Sequence, residues 1–317
     1  MKDKTKKNVR NKNSENSAVA AASGNIMPWL LVAVVAVFAV FEILGPILGT
    51  AIAVRKPDMI THWKLGGECS GITSVYLYGN NLYVMDSTRG ILLKYGAMSG
   101  RLLAEYRSAL GILSMAQLSN GDVLVLSPGS RVLRFINGSA GNMMEPVVLE
   151  GCSNAGSIAV DSKDNVLALD VQKNIVFKYD VGLKRISEFG KGVIKSGGRV
   201  FIGPEDSAYV LDYSPKGKLY VEIFSNKGKL TGKFKALESK LFLGYESLAI
   251  TAKGGVYINE MGKSRILYFS KNGALLASFG TASDNTSIIS YPAGICGGSD
   301  GKFVIPSYEM LVMKNIK

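Results

Sequence analysis

The chain holds a single histidine, His62, among 317 residues, and only 3 cysteines and 9 prolines. One histidine all but excludes histidine-paired nucleophiles, multi-histidine zinc sites and histidine proton shuttles. Three cysteines are too few, and odd in number, for a disulfide framework. There is no Walker loop and no dinucleotide-binding G-x-G-x-x-G between a strand and a helix, so nucleotide chemistry has no motif to rest on. RNP, helix-turn-helix and zinc-finger patterns are also missing. The balance of 37 Lys+Arg against 25 Asp+Glu is therefore not read as nucleic-acid binding. A hydrophobic content of 47% and a mean hydropathy of +0.17 exclude a largely disordered chain.

The positive charge is unevenly spread. Residues 1–27 carry six basic and two acidic side chains, a net of +4, which leaves +8 for residues 28–317. This first stretch is rich in Lys, Asn and Ser without apolar periodicity, and reads as a disordered basic tail. From Trp29 to Val54 the sequence is apolar except for Glu42. As a helix the run would span about 39 Å, more than the ~30 Å hydrocarbon core of a bilayer. The basic tail before it sets the orientation by the positive-inside bias. The expected organisation is a cytoplasmic tail over 1–27, a single-pass transmembrane signal-anchor helix over 28–54 and an extracytoplasmic domain over 55–317. The alternative is cleavage near Ala53, where Ala51-Ile52-Ala53 resembles a signal-peptidase site, giving a secreted domain. Within the segment, Glu42 would cost roughly 2.5–3.5 kcal/mol at a helix centre. Gly45 and Gly49 form a G-x-x-x-G spacing that permits close helix approach. Glu42, Gly45 and Gly49 are thus candidate contacts to a partner transmembrane helix.

Beyond Pro57 the pattern changes to short strands of Val, Ile, Leu, Tyr and Phe between Gly/Asn/Asp turns. The strands recur. LYVMD ends at Asp86, VLVLS at Ser127, VLALD at Asp170, AYVLD at Asp212, VYIN at Asn259 and FVIP at Pro306, at intervals of 41, 43, 42, 47 and 47 residues. Each is preceded by a tight turn and followed by a third strand such as ILLKY, IVFKY or RILYF. Fourth strands follow in five units, with PVVL (146–149) as the irregular candidate in the second. The sixth unit stops after its third strand, and MITHWKL (59–65) is available to complete it. This predicts an all-β fold, a six-bladed β-propeller of four-stranded blades closed by its N-terminal strand and preceded by one transmembrane helix.

The units Asn81-Leu82-Tyr83-Val84-Met85-Asp86, Asn165-Val166-Leu167-Ala168-Leu169-Asp170 and Gly255-Val256-Tyr257-Ile258-Asn259 resemble the NHL-repeat family of propellers, with its G-N-[VIL]-Y-V-x-D core. The second and sixth units depart from it, with Ser127 and Pro306 in place of the family's Asp. Enzymatic relatives of this architecture imply several histidines or a calcium site of several acids and amides. Neither set is evident here, so no cofactor or metal is expected.

Candidate site residues follow from the repeat. The acidic series Asp86, Asp170 and Asp212, with Asn259, is either a metal-binding ring or a set of side chains capping their own turns. Thirteen residues before each anchor stand Thr73, Ser114, Ser157, Arg199, Glu246 and Ala293, placed near the channel mouth. Arg199 and Glu246 either pair with one another or, with Tyr245, contact an anionic or polar ligand. All three cysteines are expected as free thiols. The leading reading is a non-enzymatic protein- or polymer-binding module whose partner is an unidentified protein or an anionic cell-surface polymer. Its alternatives are a lactonase-like divalent-metal-dependent hydrolase and a structural subunit of a membrane complex. If the helix carries recognition, Glu42→Leu lowers partner capture and oligomer size in detergent. Unchanged capture and size contradict that role.

Overall fold

A computed structural model describes residues 58–65, 71–239, 246–280, 289, 292–297, 302–306 and 310–314. Residues 55–317 form a compact unit of their own. The expected membrane segment, with Glu42, Gly45 and Gly49, lies outside the described residues, as do Tyr245 and Cys69. Among the described residues no helix is long and apolar enough to cross a membrane.

The chain is an all-β propeller. It begins with β1 (Asp58–Trp63) and continues into a first sheet of β2 (Ser74–Tyr78), β3 (Asn81–Asp86), β4 (Ile91–Gly96) and β5 (Leu102–Arg107). A second sheet holds β6 (Ser114–Gln117), β7 (Val123–Ser127), β8 (Arg131–Phe135) and β9 (Val147–Val148). The third holds β10 (Ala155–Val160), β11 (Val166–Asp170), β12 (Ile175–Tyr179) and β13 (Arg185–Phe189). The fourth holds β14 (Gly197–Ile202), β15 (Ala208–Ser214), β16 (Lys218–Phe224) and β17 (Leu230–Glu238). The fifth holds β18 (Leu248–Ile250), β19 (Val256–Glu260), β20 (Arg265–Phe269) and β21 (Leu275–Phe279). These five blades are uninterrupted antiparallel meanders. One further four-stranded sheet is composite: β22 (Cys296–Gly297), β23 (Lys302–Pro306) and β24 (Met310–Lys314) are completed by β1, which pairs antiparallel with β24.

Burial explains the strand compositions. The second strands β7, β11 and β19 are buried at every position, which is why they read as unbroken apolar runs rather than alternating ones. Outer strands reach solvent, and β13 (RISEF) is exposed at four of its five residues. Apolar layers fill the spaces between neighbouring sheets. Leu126 and Val132 of the second sheet meet Ile158 and Phe177 of the third, and Leu169 and Val176 meet Val210 and Phe224 of the fourth. Val84 and Leu93 of the first sheet pack with Val304 and Met310 of the composite one. On its other side the composite sheet packs Phe303 and Ile305 against Tyr257 and Ile266. The outer strand of the second sheet is reduced to two residues because Pro146, which has no N–H to give, interrupts the segment running back along β8.

Two recurrent contacts join neighbouring blades. In the first, an aromatic side chain on an outer strand packs onto the glycine of the following sheet's third-to-fourth turn. A Cβ on Gly228 (φ +78°) would stand 2.5 Å from Phe189 Cβ, and one on Gly100 (φ +65°) 2.7 Å from the Trp63 ring. The Tyr106 hydroxyl donates to Gly138 O at 2.5 Å at the equivalent place. Trp63 on β1 thus does for the first sheet what Phe189 on β13 does for the fourth. In the second contact, the Asp164 carboxylate accepts from the Ser119 amide and hydroxyl at 2.8 and 2.6 Å. Asp206 repeats this with Ser162 at 2.8 and 2.7 Å. These bonds tie the first-to-second hairpins of three consecutive sheets.

The aromatic–glycine contact makes a stability prediction. Gly121 (φ +89°) has open space around its Cβ position, whereas Gly228 does not. Alanine at either site bears a left-handed backbone cost of about 1 kcal/mol, and only Gly228→Ala adds a packing clash of about 1–3 kcal/mol. Urea unfolding should place Gly228→Ala below Gly121→Ala by that margin, and equal losses would contradict the contact.

Candidate functional site at the centre of the ring

The inner strands follow one another around the central space, with β22, β2, β6, β10 and β14 in neighbouring contact and β18 beside β22. One face of this ring is made by the loops leading into the inner strands and by the turns between second and third strands. The repeated anchor residues lie there, at the ends of the second strands.

Asp170 is fully buried. Its Oδ1 accepts from the amides of Gln172 and Lys173 at 3.0 and 2.8 Å, within its own turn. Its Oδ2 accepts from the Ser153 amide and hydroxyl at 2.8 and 3.0 Å and from the Asn154 amide at 3.3 Å, in the loop before β10. Asp86 does the same between Gly71 at 3.2 Å and its own turn residues Thr88 and Arg89 at 2.6 and 3.2 Å. Asp212 takes the amides of Lys195 and Ser196 at 3.1 and 2.6 Å. Asn259 accepts from the Ser247 amide at 2.8 Å and donates to Pro292 O at 2.9 Å. Where serine replaces Asp, the Ser127 hydroxyl donates to Gly111 O at 2.6 Å and so reaches the equivalent loop. Asp86 and Asp170 therefore each clamp two loops, whereas the amide bonds of Asp212 run only to the loop before β14. The turn-capping reading accounts for the bonds of Asp86 and Asp170 to Thr88, Arg89, Gln172 and Lys173, and the remaining bonds run to loops that lead into inner strands. Burial alone would raise the pKa of Asp170, but the amides of Lys173, Ser153 and Asn154 hold it below the ordinary carboxylate range.

The row thirteen residues upstream is also largely committed to structure. The Ser114 hydroxyl lies 3.2 Å from the Tyr76 hydroxyl and accepts from the Ile158 amide at 3.2 Å, and Ser157 accepts from the Val200 amide at 3.3 Å. These serines join neighbouring inner strands. Arg199 on β14 reaches further. Its Nη1 donates to Ser74 Oγ at 2.7 Å and its Nη2 to Thr73 O at 3.2 Å. Those partners belong to β2 and the residue before it, with β6 and β10 standing between along the ring. The guanidinium therefore crosses the central space. Glu246, which is buried, accepts from the Tyr213 hydroxyl at 3.1 Å. Burial and the Glu246 carboxylate push the Tyr213 phenol well above its usual range, and the Arg199 charge opposes them. Tyr213 is thus acted on by both, by Glu246 through a hydrogen bond and by Arg199 through its charge. Tyr213 follows the anchor Asp212 directly and was not singled out by the repeat, because an aromatic after the anchor occurs in no other unit.

A second polar cluster sits within the fourth sheet. Glu222 on β16 is fully buried; its Oε1 receives Lys233 Nζ at 2.5 Å, and its Oε2 has no hydrogen-bond partner among the described residues. Asp212 lies beside it, with Oδ2 4.0 Å from the same ammonium, which also stands over the Tyr220 ring at 4.8 Å. Burial raises the Glu222 pKa and Lys233 opposes this, while the neighbouring Asp212 carboxylate raises it further. Among the described residues no three His, Cys, Asp or Glu are gathered where they could hold a metal ion. Cys152 and Cys296 are free and buried, and burial pushes the Cys152 thiol up to about 11. His62 is exposed on β1.

No protein-family model matches the chain, and no curated protein is similar to it in sequence. Solved structures share its fold. A catalytically inactive histidine-to-alanine variant of virginiamycin B lyase from Staphylococcus aureus, crystallised with quinupristin, is 12% identical over 80% of this chain and 83% of that one, with a TM-score of 0.56. Hydrazine synthase from Kuenenia stuttgartiensis is 11% identical over 82% of this chain and 99% of that one, with a TM-score of 0.57. A protein of unknown function from Bacteroides caccae is 12% identical over 71% and 81%, with a TM-score of 0.53. At these identities the likeness concerns the fold alone.

The Asp212–Glu222 pair makes a pH prediction. A carboxyl whose pKa is raised by folding binds more protons in the native than in the unfolded state. Stability then falls as pH climbs from the ordinary glutamate value of about 4.3 through the raised one. Glu222→Gln keeps the shape and removes the titration. Thermal melts taken upward from about pH 5 should show the wild type losing ground to Glu222→Gln until pH passes the raised value, and holding level above it. Parallel profiles would contradict the pairing.

Proposed function

We propose that this chain is a non-enzymatic binding module: an NHL-like propeller, with the composite sheet as its sixth blade, held at the cell membrane by residues 28–54. In this reading the N-terminus is cytoplasmic and the propeller extracytoplasmic, presenting its loop faces to a protein or to an anionic cell-surface polymer. One observation carries the reading. The Arg199 guanidinium is spent on Ser74 and Thr73 across the central space, where a catalytic propeller would need open ground. The carboxylates nearest the channel mouth are committed as well, Asp170 and Asp212 to backbone amides and Glu246 to Tyr213.

A divalent-metal hydrolase would need several oxygen ligands converging in that space, whereas Arg199 brings a positive charge to it. The lyase of similar fold loses its catalytic activity when a histidine is replaced. This chain's single histidine, His62, stands on the outermost strand of the composite sheet, away from the inner strands. Recruitment through the membrane segment is the remaining reading, and it separates from the first experimentally.

Cross-linking capture should be run with the full chain in its membrane and with residues 55–317 alone. The propeller reading predicts the same partner in both captures. A partner caught only by the full chain would transfer recognition to the helix and overturn the proposal. Protease treatment of intact cells should digest the propeller and leave an N-terminal fragment protected. A propeller protected in intact cells contradicts the orientation.

A further inference from the structure

The loop face bearing the anchors is electrostatically one-sided over the second, third and fourth sheets. Arg131 opens β8, Lys173 lies in the turn between β11 and β12, Lys191 and Lys195 in the loop between β13 and β14, and Lys216 in the turn between β15 and β16. All five are exposed. Against them these loops expose one carboxylate, Glu150, and the end of β17 beside the Lys216 turn exposes Glu238, which pairs with Lys235.

Three of the five are held in place by bonds that leave the charge intact. Arg131 Nη1 donates to Pro128 O at 3.1 Å, Lys173 Nζ to Gly151 O at 2.7 Å and Lys195 Nζ to Gly192 O at 2.6 Å. The loops that carry them are stapled to one another. The Ser130 hydroxyl accepts from the Ala155 amide at 2.9 Å, the Asn174 side chain from the Gly197 amide at 2.9 Å, and Asp212 from the Lys195 and Ser196 amides. The cations therefore sit on a fixed crescent, so little ordering has to accompany binding.

We propose that this crescent docks a linear polyanion, a polymer carrying a negative charge on each repeat. The inference rests on the binding-module reading above and names the chemistry of its partner. Four of the five cations are lysines, compact point charges without the bidentate fork of arginine, which suits a repeated charge more than one shaped ligand. No Phe, Tyr or Trp side chain among the described residues is exposed, so there is no platform on which nucleic-acid bases could stack. The described chain starts at Asp58, paired with Lys314, which also pairs with Lys302 at the start of β23. That end belongs to the face of the first-to-second hairpins, opposite the crescent.

The test uses the full chain in detergent with long-chain linear polyphosphate as probe, poly-glutamate as the carboxylate polymer, single-stranded DNA, and vesicles of anionic phospholipid. One variant replaces Arg131, Lys173, Lys191, Lys195 and Lys216 by Gln. The control replaces Lys163, Lys227, Lys229, Lys253 and Lys271, five exposed cations of the opposite face, by Gln. The wild type should bind the polymers with a steep salt dependence. The crescent variant should lose at least about tenfold in affinity. Its salt slope should fall by about 3.5, at roughly 0.7 for each of the five polymer charges left unneutralised on a flexible strand. The control should bind as the wild type does. Equal losses in both variants would overturn the crescent while leaving the binding-module reading in place. Preference for DNA or for vesicles over the polymers, or no binding to either polymer, would overturn the polyanion. Partner capture by residues 55–317 tests the broader reading independently.

Discussion

Everything in this propeller depends on one repeated arrangement: a buried polar side chain at the end of a blade's second strand that ties down a loop leading into an inner strand and, at Asp86 and Asp170, the following turn as well. Asp170 shows it most fully, with donors from Ser153 and Asn154 upstream and from Gln172 and Lys173 downstream. A buried carboxylate is expensive unless its lone pairs are satisfied, and here the satisfying groups are the backbone amides of otherwise unsupported loops. The same bonds solve two problems, the desolvation of the acid and the disorder of the loops. Asn259 joins two loops as an amide, whereas the Ser127 hydroxyl holds only the loop before β6. The fold requires the loop before each inner strand to be held, and charge is one means of holding it.

The face so fixed sets what the protein can present. Loops locked to one another by Ser130, Asn174 and Asp212 carry their exposed cations at constant spacing. Beneath them the central space is crossed by Arg199 and flanked by the Tyr213–Glu246 bond. Charge buried in the centre is thus structural, and charge left on the rim is available to a partner. The Glu222 carboxylate, buried in the fourth sheet and held by the exposed Lys233, is likewise structural.

Much of the fold was legible in the sequence because a period of about 40 residues repeats a strand, an anchor and a turn. The second strands, their anchors, the short fourth strand at Val147–Val148 and the pairing of β1 with β24 follow from that repeat. Counting back from the anchors also located Arg199 and Glu246. Their partners were not legible. Arg199 meets Ser74 from 125 residues away, across a ring that no local pattern describes. Tyr213 was missed because it occurs once, and repeat logic sees only what recurs. The serines at 114 and 157 were placed correctly and assigned to the channel mouth, but their hydroxyls are drawn sideways to the next inner strand. Tyr245 and the membrane-helix contacts Glu42, Gly45 and Gly49 fall outside the described residues.

The double clamp is most directly tested by amide hydrogen exchange on Asp170→Ala, read at Ser153 and Asn154 and at Gln172 and Lys173. Removing one buried acceptor with donors on two loops should cost about 3 kcal/mol. Both segments should lose protection together while the β11–β12 ladder keeps its own. Loss confined to Gln172 and Lys173 would make Asp170 an ordinary turn cap, and the anchor would no longer explain how the loop face is held.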